Sequence, residues 1–238
     1  MRTEELAHLI SREMGKPLAE ARGEVKYGTD FVRWYAEEAV RPAGNFRDTP
    51  DGGASLLTRR SPVGLAVLIT PWNFPLAMAT RKIAPALAAG CPVVIKPATL
   101  TPLTTYFAIH LAIEAGVTED LIQVITTSNS GAFSEAVLLY PRVRKVSFTG
   151  STPVGRQLLQ LAARNVLRSS IELGGNAPLI IFDDADLIAQ WKAHSLPNCA
   201  MADSPASGQT ASMSRRQLQT ILLRRSPNAS QRSPYEAA

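Results

Sequence analysis

Aromatic side chains are scarce in this 238-residue sequence, at 6% of positions, although 45% of its residues are hydrophobic. Ala, Val, Ile and Leu therefore supply the apolar mass, which suits a parallel sheet covered by helices better than a β-sandwich. Cysteine is nearly absent: Cys91 and Cys199 are the only two. That is too few for a disulfide framework or a metal cluster, so no metal is expected and a reducing, cytoplasmic setting is. No apolar run reaches the roughly 18–20 residues that span a bilayer, so no membrane partner is expected. The charged, amphipathic opening MRTEELAHLISREMGK lacks the plan of a signal peptide. A formal charge of +5 invites a nucleic-acid reading, but its distribution excludes one. Residues 188–238 hold six Lys/Arg against two Asp/Glu, which leaves 19 and 18 in residues 1–187 and no basic face there.

What is present falls into three parts. Residues 1–60 read as N-terminal helices and an arm. Leu6, Leu9, Ile10 and Met14 recur at helical spacing, a Gly-Lys-Pro interrupts, and Phe31, Trp34 and Tyr35 continue an apolar stripe expected to pack in the core. The polar stretch 41–60 suits a loop or a short hairpin. Residues 61–187 alternate short apolar runs (63–70, 92–98, 121–126, 143–150, 169–183) with helical segments (78–90, 102–116, 130–140, 152–165). That rhythm predicts right-handed βαβ units and a doubly wound parallel α/β sheet. Residues 188–238 carry eight serines, Arg-Arg pairs and no sustained period, the composition of a poorly ordered tail.

In an open α/β sheet, ligands bind outside the carboxyl ends of the strands. This singles out Thr70 to Asn73, Lys96 to Thr99 and Thr149 to Ser151. Neither G-x-G-x-x-G nor G-x-x-x-x-G-K-[ST] occurs, so the residues alone reach only a doubly wound domain for a nucleotide-like ligand.

Four segments carry more: TPWNFP (70–75), IKPATLTP (95–102), FTGSTPVG (148–155) and ELGGNAP (172–178). In order and spacing they resemble the aldehyde dehydrogenase superfamily over residues 3–187, and the opening EMGKPLAEARGEVKYGTDFVRWYAEEA resembles its succinate-semialdehyde dehydrogenase branch. The resemblance implies an NAD(P)-binding Rossmann-like domain and oxidation of an aldehyde, as substrate partner, to the carboxylate. By themselves Asn73 reads as a turn asparagine, Lys96 as a solvated charge and Glu172 as a surface glutamate. The resemblance makes Asn73 the oxyanion donor and Glu172 the general base, partly desolvated between an apolar strand and Gly-Gly. It places Thr70, Pro71, Trp72, Lys96, Ala98, Thr99, Gly150, Ser151, Leu173 and Gly174 around NADP or NAD. Lys96 would bind the ribose hydroxyls, and Gly150 with Ser151 would present a helix N-terminus to the pyrophosphate. A glutamate at position 99 would repel a 2′-phosphate. Thr99 leaves room for it, so NADP is tolerated. The third helix departs from the family, with Ser134 where a glycine is expected.

The mechanism implied by the family needs a cysteine thiolate. Counting on from Glu172, its position is Ala206; Cys199 lies seven residues early, and Cys91 opens a strand as a small apolar residue. Read from each third base, permitted codons for residues 198–206 spell L-R-N-G-G-Q-S-C, the family's catalytic segment, with glycine forced at Met201–Ala202. A frameshift just after Leu187 is therefore expected, leaving the catalytic domain mostly missing and the chain inactive. Complete relatives are expected to be homo-oligomers, and this chain is expected not to assemble. The alternatives are a non-catalytic nucleotide-binding module, an unstable fragment that binds nothing, and a basic tail that recruits an acidic partner.

Overall fold

The computed structural model describes residues 2–41, 43–176, 179–180, 207–208 and 212–213. Two compact units divide the chain, Met1–Leu173 and Gly174–Ala238. In the second, two-residue parallel pairings join Gly175–Asn176 to Ser207–Gly208 and Leu179–Ile180 to Ser212–Met213. The rest of the tail expected over 188–238 lies outside the described residues.

The first unit opens with helices α1 (Thr3–Met14) and α2 (Leu18–Glu38). The Gly-Lys-Pro break behaves as read. Gly15 adopts φ 87°, a left-handed helix end that costs glycine nothing, and Pro17 sets the entry of α2. Leu6, Ala7, Ile10, Ala21 and Val25 form one buried cluster with Leu76. The aromatic stripe departs from its expected place in the core. Trp34 is 63% exposed, while Phe31 and Tyr35 are only half-buried. The buried positions of α2 (Ala21, Glu24, Val25, Gly28) end one turn before Phe31, so its C-terminal half projects past the layer beneath it. Strands β1 (Asn45–Asp48) and β2 (Ser55–Thr58) form the hairpin arm, exposed along both strands.

The βαβ alternation follows: β3 (Leu65–Ile69), α3 (Ala77–Ala88), β4 (Val93–Lys96), α4 (Leu103–Glu114), β5 (Ile122–Val124), α5 (Ser130–Leu138), β6 (Val143–Gly150), α6 (Thr152–Arg164) and β7 (Arg168–Leu173). All five sheet strands are parallel, in the order β5-β4-β3-β6-β7. The winding reverses between β3 and β6, so a crevice opens there at the carboxyl ends. Alternation along each strand divides the core. Ala66, Leu68, Val93 and Ile95 pack toward α3 and α4, while Val67, Ile69, Val146 and Phe148 pack with Leu158 and Ala162 of α6. Ser134 is accommodated: it is buried in α5, and its hydroxyl donates to the Ser130 carbonyl at 2.8 Å.

Candidate active site

Register brings the sequence-predicted residues into one row. Ile69 faces Lys96 across β3–β4 and Phe148 across β3–β6, while Thr149 faces Glu172 and Gly150 faces Leu173 across β6–β7. The loop 70–73, Lys96, Gly150–Ser151 and Leu173 therefore share the carboxyl edge, and Gly174 follows Leu173 in the chain. Lys96 and Glu172 stand on strands three spacings apart, about 14 Å at the usual strand separation.

Thr70 is buried against β4, its amide donating to the Lys96 carbonyl at 3.2 Å. Its hydroxyl oxygen has no hydrogen-bond partner among the described residues, a state that costs about 1–3 kcal/mol and invites a polar ligand or water. Pro71, Trp72 and Asn73 follow, half-buried. The Trp72 carbonyl accepts from the Thr101 hydroxyl at 3.4 Å. Lys96 is buried, and its ammonium donates to the Pro97 carbonyl at 3.3 Å. Burial lowers its pKa from the usual lysine value. Among the described residues no carboxylate pairs with this amine. Ala98 is half-buried and Thr99 exposed, its hydroxyl donating to the Thr127 carbonyl at 3.4 Å.

Gly150 ends β6, where a Cβ would meet the Phe148 ring at 2.5 Å. A side chain is excluded there. Ser151 is the N-cap of α6 and makes no side-chain cap; Pro153 has no N–H, so the amides of Thr152 and Val154 keep their donors for another acceptor. Leu173 lies at the edge with 37% exposure, packed toward Gly155 of α6.

Glu172 corrects the expectation of desolvation. Its side chain is 54% exposed, on a strand that is outermost among those described and whose residues are exposed except Ile171. Its carboxylate accepts from the Thr149 hydroxyl at 3.3 Å and lies 3.9 Å from the Arg81 guanidinium. Glu172, Ser170 and Arg168 alternate onto the α3 face of the sheet, where they line one cavity. Lys96 stands out of phase with Val93 and Ile95 and projects to the other face. Base and candidate ribose contact are thus separated by the sheet.

Sequence reasoning passed over two features. The first is a buried ion pair, Lys16–Glu24, at 2.5 Å, with side chains 3% and 0% exposed. Lys16 also donates to the Asn73 carbonyl at 3.0 Å and stands 4.2 Å over the Phe74 ring. Glu24 accepts from the amides of Leu76 and Ala77 at 2.8 and 3.2 Å, which caps α3. Its only trace in sequence was the Gly-Lys-Pro, read as a break. The second is Lys82 on α3, buried and donating to the Ser147 hydroxyl at 2.8 Å; no spacing rule marks it. Cys91, by contrast, is buried as expected. It precedes β4 and so sits at the amino edge of the sheet, remote from Asn73. Cys199 lies outside the described residues. Among the described residues no cluster of His, Cys, Asp or Glu could hold a metal ion, and no helix is long and apolar enough to cross a membrane.

Residues 1–219 match the model of the aldehyde dehydrogenase family. The chain is 56% identical over 186 residues to the succinate-semialdehyde dehydrogenase of Paenarthrobacter nicotinovorans, covering 78% of this chain and 41% of that protein. It is 49% identical over 184 residues to the NADP(+) succinate-semialdehyde dehydrogenase of Escherichia coli K12, covering 77% and 38%. The crystal structure of succinate-semialdehyde dehydrogenase from Burkholderia pseudomallei superposes with a TM-score of 0.76 at 47% identity, over 80% of this chain and 39% of that one. The chain thus spans about two fifths of the length of these relatives.

Proposed function

The chain belongs to the aldehyde dehydrogenase family, and from that premise we propose that its carboxyl edge binds NADP or NAD while the chain itself oxidises no aldehyde. The observation that carries the binding half is Lys96 at a strand end, a buried ammonium with no carboxylate partner among the described residues, whose carbonyl accepts from the amide of Thr70, a residue with an unpartnered hydroxyl. Both are polar groups that a nucleotide would satisfy. Lys96 would donate to the ribose hydroxyls, and the amides that open α6 beyond Gly150–Ser151 would receive the pyrophosphate. Pro71, Trp72, Ala98, Thr99, Leu173 and Gly174 would border the ligand. When bound, the nicotinamide ring supplies a hydride acceptor.

Thr99 supports acceptance of NADP, since no carboxylate stands there to repel a 2′-phosphate, and the E. coli relative is named for NADP(+). The relatives' names also favour succinate semialdehyde, or a similar semialdehyde, as the substrate of the complete enzyme. In that reaction Asn73 offers a neutral amide donor to an oxyanion, and Glu172 accepts a proton from a thiol or from water.

The inactive half rests on sulfur. Of the two cysteines, Cys91 is buried at the opposite edge of the sheet, and Cys199 lacks the Gly-Gln approach. A frameshift just after Leu187 accounts for the missing thiol; the Paenarthrobacter match spans 186 residues, while the family match runs on to residue 219. Sequencing the gene across codons 185–195 tests that explanation, which an undisturbed frame with no nearby insertion or deletion defeats. For the function, purified chain is titrated with NADPH by fluorescence and assayed with succinate semialdehyde and NADP. The expected result is saturable binding with no turnover. Aldehyde oxidation lost on replacing Cys199 overturns the inactive half, and a melting temperature unmoved by millimolar NADP overturns the binding half.

A further inference from the structure

The loop that follows β3 is held by its carbonyls. The Trp72 carbonyl accepts from the Thr101 hydroxyl at 3.4 Å, the Asn73 carbonyl from the Lys16 ammonium at 3.0 Å, and the Pro75 carbonyl from the Thr105 hydroxyl at 3.2 Å. The donors come from three separate places: the turn between α1 and α2, the loop after β4, and α4. All three are buried, Thr101 at 2% exposure and Thr105 at 0%. Loops ordinarily run over the surface with their backbone polar groups in water. Here side chains distant in sequence take the place of that water. Threonine suits the task, because its branched Cβ restricts χ1 and so the directions open to the hydroxyl.

Thr101 does more than hold one loop. Its amide donates to the Ala98 carbonyl at 3.2 Å while its hydroxyl reaches Trp72. One residue thereby joins the loops that leave β3 and β4, neighbouring strands in which Ile69 faces Lys96. The Thr70 hydroxyl and the Lys96 ammonium stand where those two loops begin. Thr104, beside Thr105 in α4, supplies a contrast. It is equally buried, yet its hydroxyl donates to the Glu13 carboxylate of α1 at 2.6 Å and not to the loop.

We propose that Thr101 and Thr105 are positioning residues for the dinucleotide: without touching it, they fix the two strand-end loops in the arrangement that receives it. The role rests on the nucleotide-binding edge proposed above. A loop ordered before binding loses less freedom when its ligand arrives, and the difference appears as affinity. Exchanging either hydroxyl for a methyl group changes the volume little but strands a buried carbonyl. The loop then turns that carbonyl toward water and leaves the binding arrangement.

The 238-residue chain and its Thr101→Val, Thr105→Val and Thr104→Val variants are titrated with NADPH by fluorescence. Amide hydrogen exchange is followed on each without nucleotide. Thr101→Val and Thr105→Val are each expected to weaken NADPH about fivefold, the worth of one hydrogen bond. Exchange quickens in the loops 70–76 and 97–101, while Val67 and Val146 in the sheet stay protected. Thr104→Val lowers the melting temperature by a similar amount but moves NADPH affinity by less than about twofold. Thr101→Ser and Thr105→Ser, which keep the hydroxyl, restore binding. Unchanged affinity in both loop-facing valine variants overturns the proposal, and so does an equal loss in Thr104→Val. Protection lost throughout the sheet, with no recovery in the serine variants, marks the hydroxyls as folding elements only and overturns it as well. A wild-type chain that fails to bind NADPH defeats the nucleotide reading and this role together; wild-type affinity kept by both valine variants defeats this role alone.

Discussion

Replacing Lys16 with methionine removes one half of a charge pair that has almost no contact with water. The side chains of Lys16 and Glu24 are 3% and 0% exposed, and the ammonium lies 2.5 Å from the carboxylate. Breaking a buried pair by deleting one partner costs about 3–5 kcal/mol, since the other charge stays desolvated. Lys16→Met falls at the low end, because the Leu76 and Ala77 amides still serve the Glu24 carboxylate. Glu24→Gln falls higher, because it strands the ammonium. The double variant buries neither charge and costs less than the sum, with a coupling of about 1–3 kcal/mol. Urea unfolding followed by circular dichroism measures all three. At roughly 2–4 °C per kcal/mol for a chain of this size, each single variant melts about 10 °C lower. The pair also ties the Asn73 carbonyl to α2 and caps α3, so both single variants loosen the loop 70–73. Single-variant losses below about 1 kcal/mol, or a strictly additive double variant, would refute the assignment of this pair as a buried lock.

Three further outcomes are expected. Val166 is the left-handed residue that ends α6, with φ 51° and 88% exposure, and the Leu167 amide donates to the Ala162 carbonyl as in a glycine-terminated helix; Val166→Gly relieves the strain and raises stability by about 1 kcal/mol in a urea titration. Thr99→Glu places a carboxylate where a 2′-phosphate would lie, so NADPH affinity measured by fluorescence falls about tenfold while NADH affinity holds. The Lys82 pKa is depressed to about 8, so between there and the ordinary lysine value of 10.5 the unfolded chain carries more protons than the folded one. Stability therefore rises with pH across that window, and Lys82→Met removes that increment; a wild-type curve parallel to that of the variant from pH 7.5 to 10 refutes it.

Much of the carboxyl edge was legible in the sequence. Thr70, Lys96 and Gly150 follow apolar runs, and a βαβ chain must bring the ends of its strands to one side. Cys91 was readable as buried because it opens such a run. Glu172 was misjudged. Its environment depends on what lies beside β7, and a strand's own sequence does not say whether it will be central or outermost. The stripe on α2 failed for a related reason: Phe31 and Trp34 have core-like spacing, but periodicity names a face without naming the layer that covers it.

Local pattern by itself determined the parallel sheet, the helix that breaks at Gly15, and the row of polar residues at the strand ends, because strand and helix periods are written in consecutive residues. Only the tertiary structure decided that Lys16 and Glu24 meet beneath Asn73, that Lys82 loses its water beside Ser147, and that Lys96 and Glu172 occupy opposite faces of one sheet. Each is a matter of burial or of partners distant in the chain, and the energy of a charge is set by those surroundings and not by its neighbours in sequence.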